Sequence, residues 1–250
     1  MKTFLLGTVA AIAVVGTATA ADMRMPVKAP PVVAPVFSWT GCYVGGFVGG
    51  AWNADDTVVA DRNGLTSFGP HSWGYKTDSS FIGGGTVGCN WQPVGSPFVL
   101  GLEGEVGYMS IEGSGYDPLS GSFLYSSTKV GDWYGIIAGR LGYSFDRAMI
   151  YVKGGVAFVD VENTISHPLF VASTSETKAT WTVGGGIEWA FDMNWSIKAE
   201  YMYIGLDNTQ SVYAPIGSGY NWDHDNSGIH TAKIGLNYRF GGGAPVVARY

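Results

Sequence analysis

The sequence predicts an all-β protein, an eight-stranded antiparallel up-and-down transmembrane β-barrel. The first observation is its composition: 38 glycines in 250 residues, together with 9 Trp, 14 Tyr and 12 Phe. The second is that only 14% of the residues are charged, against a usual ~25%. The third is that apolar residues recur at every second position after Trp39, which is the pattern of β-strands.

The same numbers exclude other classes of protein. A disordered chain is poor in aromatic residues and rich in charge. A helical bundle would lose ~1 kcal/mol at each interior glycine relative to alanine, and collagen needs glycine at every third position. The net charge of −6 and the pI of about 5.1 argue against nucleic-acid binding.

The chain begins with a segment that predicts secretion. Residues 1–20 combine Lys2, an apolar run over residues 4–15, and Ala18-Thr19-Ala20, the small-residue pattern of a signal-peptide cleavage site. A transmembrane anchor is disfavoured because the apolar run is shorter than the ~20 residues that a spanning helix needs. The proline-rich residues 21–38 are predicted to form a periplasmic tail.

Eight period-two stretches place the predicted barrel at residues 39–240, followed by a short extension at 241–250. In chain order the predicted strands are residues 41–52, 81–92, 98–109, 132–145, 149–159, 180–191, 195–204 and 229–240. Connections between them alternate between short and long, as periplasmic turns and extracellular loops do in outer-membrane barrels. Both termini are therefore expected on the periplasmic side.

Each predicted strand has one apolar face. In chain order the residues that define these faces are Cys42, Val44, Val48 and Trp52; Phe81, Val87, Cys89 and Trp91; Phe98, Leu100, Leu102, Val106 and Tyr108; Trp133, Ile137, Leu141, Tyr143 and Phe145; Ile150, Val152, Val156 and Phe158; Trp181, Val183, Ile187, Trp189 and Phe191; Trp195, Ile197, Tyr201 and Tyr203; and Ala232, Ile234, Leu236, Tyr238 and Phe240. An eight-stranded interior is too narrow for this many bulky side chains. The apolar faces are therefore predicted to face lipid, with aromatic belts at both strand ends.

The opposite faces carry glycines and nine charged residues, which are predicted to face the lumen. These residues are Glu103, Glu105, Arg140, Lys153, Glu188, Lys198, Glu200, Lys233 and Arg239. Because buried charges must be paired, four acids and five bases predict a salt-bridge network that fills the barrel. General acid–base catalysis by paired carboxylates is the disfavoured alternative.

Six segments resemble a known family. They are WTGCYVGG (residues 39–46), GGGTVGCNWQ (83–92), GRLGYSFDR (139–147), TVGGGIEWAF (182–191), NWSIKAEYMY (194–203) and IGLNYRF (234–240). Together they resemble the small outer-membrane β-barrel proteins of alphaproteobacteria, a porin-like and opacity-like family related to the OmpA transmembrane domain. The resemblance implies an abundant surface protein that contacts outer-membrane lipid and lipopolysaccharide and is inserted by the barrel-insertion machinery. In such barrels a terminal aromatic residue is the insertion signal, here Phe240 or Tyr250.

Cys42 opens the first predicted strand and Cys89 closes the second. Adjacent antiparallel strands bring these two positions together on the same face, and the predicted compartment is oxidising. The sequence therefore predicts a disulfide, with two free thiols as the alternative.

The histidines offer the remaining candidate chemistry. His71, His167 and His224 lie in predicted loops, and His230 lies at a strand start. The run Asp223-His224-Asp225-Asn226, followed by Ser227, contains the residue types of a hydrolase or of a weak cation or haem site. A hydrolase needs preorganised groups, so the preferred interpretation is a solvated loop tip, with no enzymatic activity and no cofactor.

The predicted function is structural: a monomeric, closed barrel that supports envelope integrity and presents loops at the surface. One alternative is a narrow porin for small solutes. The other is a receptor or adhesin that uses loops 53–80 and 205–228, with Trp73, Tyr75, Tyr213, Tyr220 and Trp222 as its contact surface.

Overall fold

A computed structural model describes residues 37–64, 69–120, 123–206, 208–215, 219–226 and 228–240. The predicted signal peptide, nearly all of the proline-rich tail, the 241–250 extension with Tyr250, and Ser227 lie outside these residues. Within the described ranges no helix is long and apolar enough to cross a membrane.

The described residues form twelve strands. They are β1 (Gly41–Asn53), β2 (Thr57–Asp61), β3 (His71–Tyr75), β4 (Ser80–Trp91), β5 (Phe98–Tyr116), β6 (Tyr125–Phe145), β7 (Ala148–His167), β8 (Phe170–Ala190), β9 (Trp195–Ile204), β10 (Asn208–Tyr213), β11 (Asn221–Asn226) and β12 (Ile229–Phe240). Eight of them close a ring in the order β1-β12-β9-β8-β7-β6-β5-β4, and every neighbouring pair is antiparallel. The predicted fold class is confirmed.

The strands β5 to β8 are longer than predicted. They contain 19, 21, 20 and 21 residues, whereas about 9–11 residues span a membrane. Two predicted long loops, residues 110–131 and 160–179, are mainly continuations of these strands, which pair as far as Tyr116↔Tyr125 and His167↔Phe170. A bulge at Gly131 and Asp132, both with positive φ, shifts the register between Val130 and Tyr134.

The other two predicted loops, 53–80 and 205–228, also contain strands. They supply β2 and β3, and β10 and β11, which form a second sheet in the order β10-β11-β2-β3. Its outer strands approach the barrel extensions, β3 beside β5 and β10 beside β8. We call this small sheet and the extended ends of β5 to β8 the cap.

The cap has a hydrophobic core of its own. The small sheet contributes Val59, Trp73, Tyr75, Val212 and Trp222, and the β5–β8 side contributes Leu124, Ile165 and Ala172. The interpretation of residues 53–80 and 205–228 as plain loops is therefore wrong. Their buried positions mix polar with apolar residues, as in Thr57, Val59 and Asp61 of β2, so the strands lack the hydrophobic alternation seen in the wall.

The barrel wall has the orientation that the sequence predicts. Large apolar side chains such as Phe81, Leu102, Trp133 and Ile187 are exposed on the outside. Aromatic pairs lie at both ends of the wall: Phe98–Tyr143 and Trp195–Tyr238 at one end, and Tyr108–Trp133 and Trp181–Tyr203 at the other. We call the end where Gly41 and Phe240 lie the terminal rim and the opposite end the cap rim.

Candidate functional site

The terminal rim is closed by residues 37–40, which enter the barrel mouth. Trp39 is fully buried; its backbone N–H donates to Gln92 Oε1 at 2.8 Å and its indole N–H donates to the Asp146 carbonyl at 3.1 Å. It packs in an apolar cluster that we call the plug: Phe37, Trp39, Val99, Met149, Tyr151 and Ala190. Sequence reasoning placed residues 37 and 38 in a tail because they follow four prolines without strand alternation.

Arg239 lies at the plug rather than with the other lumen charges. Its guanidinium carbon is 4.5 Å from the Phe37 ring centroid and 5.0 Å from that of Trp39. Its amino groups donate to the carbonyls of Ser38 and Met193, each at 3.1 Å. No ion pair joins Arg239 to a carboxylate among the described residues, so this residue fastens the plug to the last strand.

The other eight lumen charges form one buried network in the middle of the barrel. Lys153 Nζ lies at its centre, 2.7 Å from Glu103, 3.5 Å from Glu105 and 2.8 Å from Glu200. Lys233 joins Glu105 at 2.5 Å and Glu200 at 3.0 Å.

The rest of the network lies between the central lysine and the plug. Lys198 joins Glu103 at 3.1 Å. Arg140 pairs with Glu188 and lies 3.7 Å from Glu103. Four glutamates thus face four cations, and the set is neutral.

Three tyrosines complete the network, and none of them is among the lumen residues predicted from the sequence. Tyr43 donates to Glu103 at 2.5 Å, Tyr134 donates to Glu105 at 2.7 Å, and Tyr151 donates to Glu200 at 2.8 Å. Each tyrosine occupies an inward position next to an outward apolar residue. Strand parity alone was therefore a signal that could have identified all three.

The carboxylates of Glu103, Glu105 and Glu200 lie close enough together for a metal ion. The Lys153 ammonium contacts all three of them, so a cation already occupies the centre of the group. This arrangement supplies charge balance rather than an open coordination site.

Above the network, the lumen is apolar. Inward side chains near the cap rim form a continuous buried cluster: Phe47, Ala51, Ile82, Met109, Ile111, Val130, Tyr134, Ile136, Ala138, Ala157, Val159, Val161, Met202, Ile204, Leu206 and Ile229. We call this cluster the upper core. The cap lies beyond it.

His224 is buried in the cap, so its prediction as a solvated loop tip is wrong. It is fully inaccessible, and its Nε2 lies 2.8 Å from Ser126 Oγ of β6. Its neighbour Asp223 is held by Arg62 and accepts from Ser211 at 2.6 Å. Burial lowers the pKa of His224 to about 4, so the ring is neutral at pH 7.

The remaining histidines are spread over the structure. His71 lies in β3, with Nδ1 2.9 Å from the Gly69 carbonyl and Nε2 3.0 Å from Asp117 Oδ1. His167 ends β7, and His230 lies near the start of β12 on the outer wall. The four histidines therefore do not converge on one site.

The two cysteines are joined in the structure. Cys42 and Cys89 lie directly opposite each other on β1 and β4, and their sulfurs form a disulfide. Both point to the outside of the wall near the terminal rim. On the other side of β1, Cys42 is also opposite Phe240, the last residue of β12.

A closed antiparallel barrel with a lipid-type outer face, two aromatic belts and a charge-balanced interior defines a small β-barrel membrane protein. Residues 8–240 match the family model described as "outer membrane protein beta-barrel domain". The chain belongs to this family, and the protein is located in the outer membrane.

Two sequence relatives agree with this assignment. The chain is 33% identical to the 31 kDa outer-membrane immunogenic protein of Brucella melitensis, over 96% of this chain and 100% of that protein. It is 31% identical to the 22 kDa outer membrane protein of Rhizobium leguminosarum bv. viciae, over 83% and 81% of the two chains. Among solved structures, Neisserial surface protein A aligns with 80% of this chain and 98% of its own, with a TM-score of 0.43 and 12% identity.

Proposed function

We propose that this protein is a closed, monomeric structural barrel that supports the outer membrane and carries a folded cap at the cell surface, with both termini in the periplasm. The observation that carries the proposal is the continuous filling of the lumen. From one rim to the other, the plug, the charge network, the upper core and the cap core follow one another along the barrel.

The chemistry of these layers argues against a porin. A solute would have to displace Trp39 and Phe37 and then separate buried ion pairs. Breaking a single buried pair costs about 3–5 kcal/mol. Beyond the network it would meet an apolar layer in which a polar solute loses its hydration without new hydrogen bonds.

Planar-bilayer recording tests the closed lumen. Purified protein is expected to give no stable, reproducible conductance. The Trp39→Ala variant is expected to stay closed as well, because the network and the upper core still fill the barrel. A reproducible single-channel step in the wild-type protein would overturn the closed-barrel proposal in favour of the porin.

The structural role is tested in cells. A strain that lacks the protein is expected to become sensitive to detergent and to EDTA. Wild-type protein is expected to restore resistance, and Arg140→Ala, which removes an ion-pair partner inside the barrel, is expected to restore it less well. Unchanged resistance in the deletion strain would contradict the envelope role.

A surface receptor is the second candidate, and exposed apolar side chains on the cap favour it. Of the five aromatics predicted to form its surface, Trp73, Tyr75 and Trp222 are buried in the cap core, and Tyr220 is partly buried against it. Tyr213 is 68% exposed. The receptor surface would therefore use Tyr213 and the hairpin tips, where Phe123 is 64% and Leu169 86% exposed.

The names of the relatives, which call the Brucella proteins immunogenic, are consistent with a cap at the cell surface. A double variant, Phe123→Ser with Leu169→Ser, is expected to reduce the adhesion of whole cells to an apolar surface if the receptor proposal holds. Val94→Ser is the matched control, because Val94 is 81% exposed in the turn between β4 and β5 at the terminal rim. Equal binding by both variants and the wild type would reject the receptor.

A further inference from the structure

Apart from tyrosines, the outward positions from one aromatic belt to the other carry one ionisable side chain among the strand residues that the structure describes, His230. From belt to belt, the other outward positions are aliphatic, aromatic or glycine, or the disulfide cysteines. His230 lies opposite Trp52 of β1 and Tyr203 of β9, so it sits within the aromatic belt at the cap rim. Aromatic belts lie at the level of the lipid headgroups.

The ring of His230 is held in place by its neighbours. Its Nδ1 lies 2.5 Å from the Tyr201 hydroxyl. Its ring stacks on Trp52 and on Tyr201, with centroid distances of 5.9 and 5.8 Å and interplanar angles of 26° and 27°. With the Tyr201 hydroxyl donating to Nδ1, the ring proton lies on Nε2, which can donate to a ligand in the headgroup region.

Directly below this belt position the wall is recessed. The next outward row reads Gly50, Ala232, Tyr201 and Gly185 across four adjacent strands. Gly185 and Ala232 of this row, together with Tyr201, line a groove of about 630 Å³ on the outside of the wall. Its apolar sides are formed by Val48, Ile187, Ala199 and Ile234.

We propose that His230 and this groove form a binding site for a phosphorylated lipid of the leaflet on the cap side. An acyl chain lies in the groove, and the lipid phosphate accepts a hydrogen bond from His230 Nε2. A hydrogen bond from Nε2–H to a phosphate oxygen has an ionised acceptor, and such charge-assisted hydrogen bonds are shorter and stronger than neutral ones. The apolar groove explains why the ligand is a lipid rather than free phosphate, and the belt places the phosphate at headgroup depth.

Native mass spectrometry of the detergent-solubilised full-length protein tests the site. The probes are a short-chain phosphatidic acid, the diacylglycerol with the same chains, and inorganic phosphate. We expect retention of phosphatidic acid and little retention of the other two. Equal retention of diacylglycerol would overturn the role of His230, and full competition by inorganic phosphate would overturn the lipid assignment.

Two variants separate the parts of the site. His230→Gln is expected to weaken phosphatidic acid binding about tenfold, which is the loss of one charge-assisted hydrogen bond. Ala232→Leu fills the groove without altering His230 and is expected to reduce binding as well. Val156→Leu, an outward substitution on β7 away from the groove, is the matched control.

Folding of each variant is checked by its heat-modifiable migration on gels. Should His230→Gln fail to assemble, Tyr201→Phe removes the hydroxyl that orients the ring and is expected to weaken binding in the same direction. Binding by all variants at the wild-type level would overturn the proposal. This result would leave the closed-barrel function intact, because conductance and lipid retention are independent measurements.

Discussion

Each carboxylate in the lumen has both a cation and a hydrogen-bond donor within reach. Glu188, for example, pairs with Arg140 and accepts from Ser196 at 2.6 Å and from Asn237 at 2.9 Å. Burying a charge is tolerated only when it is paired and its remaining lone pairs are satisfied. Each glutamate therefore stabilises the barrel only while its cation and its hydrogen-bond donors are all present.

Removing one residue of an ion pair should lower the free energy of unfolding more than replacing both residues with apolar ones. Arg140→Ala leaves Glu188 buried without its cation and is expected to lower the free energy of unfolding by about 3–5 kcal/mol. The double variant Arg140→Met with Glu188→Leu is expected to recover much of this loss. Urea unfolding in detergent measures both, and an unchanged midpoint for Arg140→Ala would refute the expectation.

His224 makes the stability of the cap depend on pH. Its folded-state pKa of about 4 is below the ordinary value of about 6.5, because the buried ring excludes the proton. The neutral ring contributes its full stabilisation of the cap above pH 6.5, and this stabilisation is lost as the pH falls to about 4. The loss in free energy of unfolding is at most about 3 kcal/mol. Proteolysis of the cap at pH 7 and pH 4.5 measures this loss, and His224→Gln is expected to flatten the difference.

His71 lies in the same small sheet as His224 and provides a control, because its pKa is shifted in the opposite direction. Burial opposes its protonation, but the Gly69 carbonyl and the Asp117 carboxylate outweigh burial and raise its pKa. Its contribution is complete below pH 6.5 and is lost as the pH rises through the raised value. His71→Gln should therefore weaken the cap mainly on the acidic side, and the same effect in both histidine variants would contradict the assignment.

At the scale of strands, the membrane-spanning segments could be predicted and the cap could not. Lipid requires an apolar outward face, so residues such as Val44, Leu100 and Ile187 show a strict period of two. Beyond the aromatic belts, both faces of a strand contact water or polar side chains. Apolar and polar residues therefore no longer alternate along the strand. In β11, Trp222 is buried beside buried Asp223 and His224, a pattern that looks like a polar loop.

The lumen charges were predictable for the same reason as the wall. Their parity within each strand put Glu103 and Lys153 on the inside, where the structure places them. Parity does not give the partner across the lumen, so it did not separate Arg239 from the network. That distinction depends on Phe37 and Trp39, which no periodic pattern indicates.

The disulfide should stabilise the first barrel hairpin. It joins residues 47 positions apart, so its loss gives the unfolded chain more freedom, at a typical cost of about 2–4 kcal/mol. Cys42→Ser with Cys89→Ser is expected to lower the unfolding midpoint in detergent without changing the barrel. Thiol labelling without reductant is the control, and two labelled cysteines in the wild type would contradict the bond.

The cap should melt separately from the barrel. Trp222→Ala empties the centre of the cap core and is expected to cost about 3–5 kcal/mol there. The variant should become sensitive to protease in residues 205–228 while its heat-modifiable gel shift is retained. Loss of the gel shift would show that the cap and the barrel fold as one unit.

At the scale of the whole molecule, the residue at which the last barrel strand ends matters for insertion into the membrane. The β12 strand ends at Phe240, beside Cys42 of β1, where the ring closes. We propose that Phe240 rather than Tyr250 is the insertion signal. Phe240→Ser is expected to reduce the heat-modifiable form in outer-membrane fractions several-fold, and Tyr250→Ser is expected to leave it unchanged; the reverse result would assign the signal to Tyr250.

The salt-bridge network also has a consequence for how the barrel is completed. Its contacts join strands that are not neighbours: Arg140 of β6 with Glu188 of β8, Glu103 of β5 with Lys198 of β9, and Glu105 of β5 with Lys233 of β12. In a partly assembled sheet, still open between β1 and β12, Lys233 keeps Glu200 of the neighbouring β9, but its contact with Glu105 of β5 is not yet made. Closing that seam forms the Lys233–Glu105 ion pair across the lumen, and the finished barrel can reopen there only by breaking a buried ion pair.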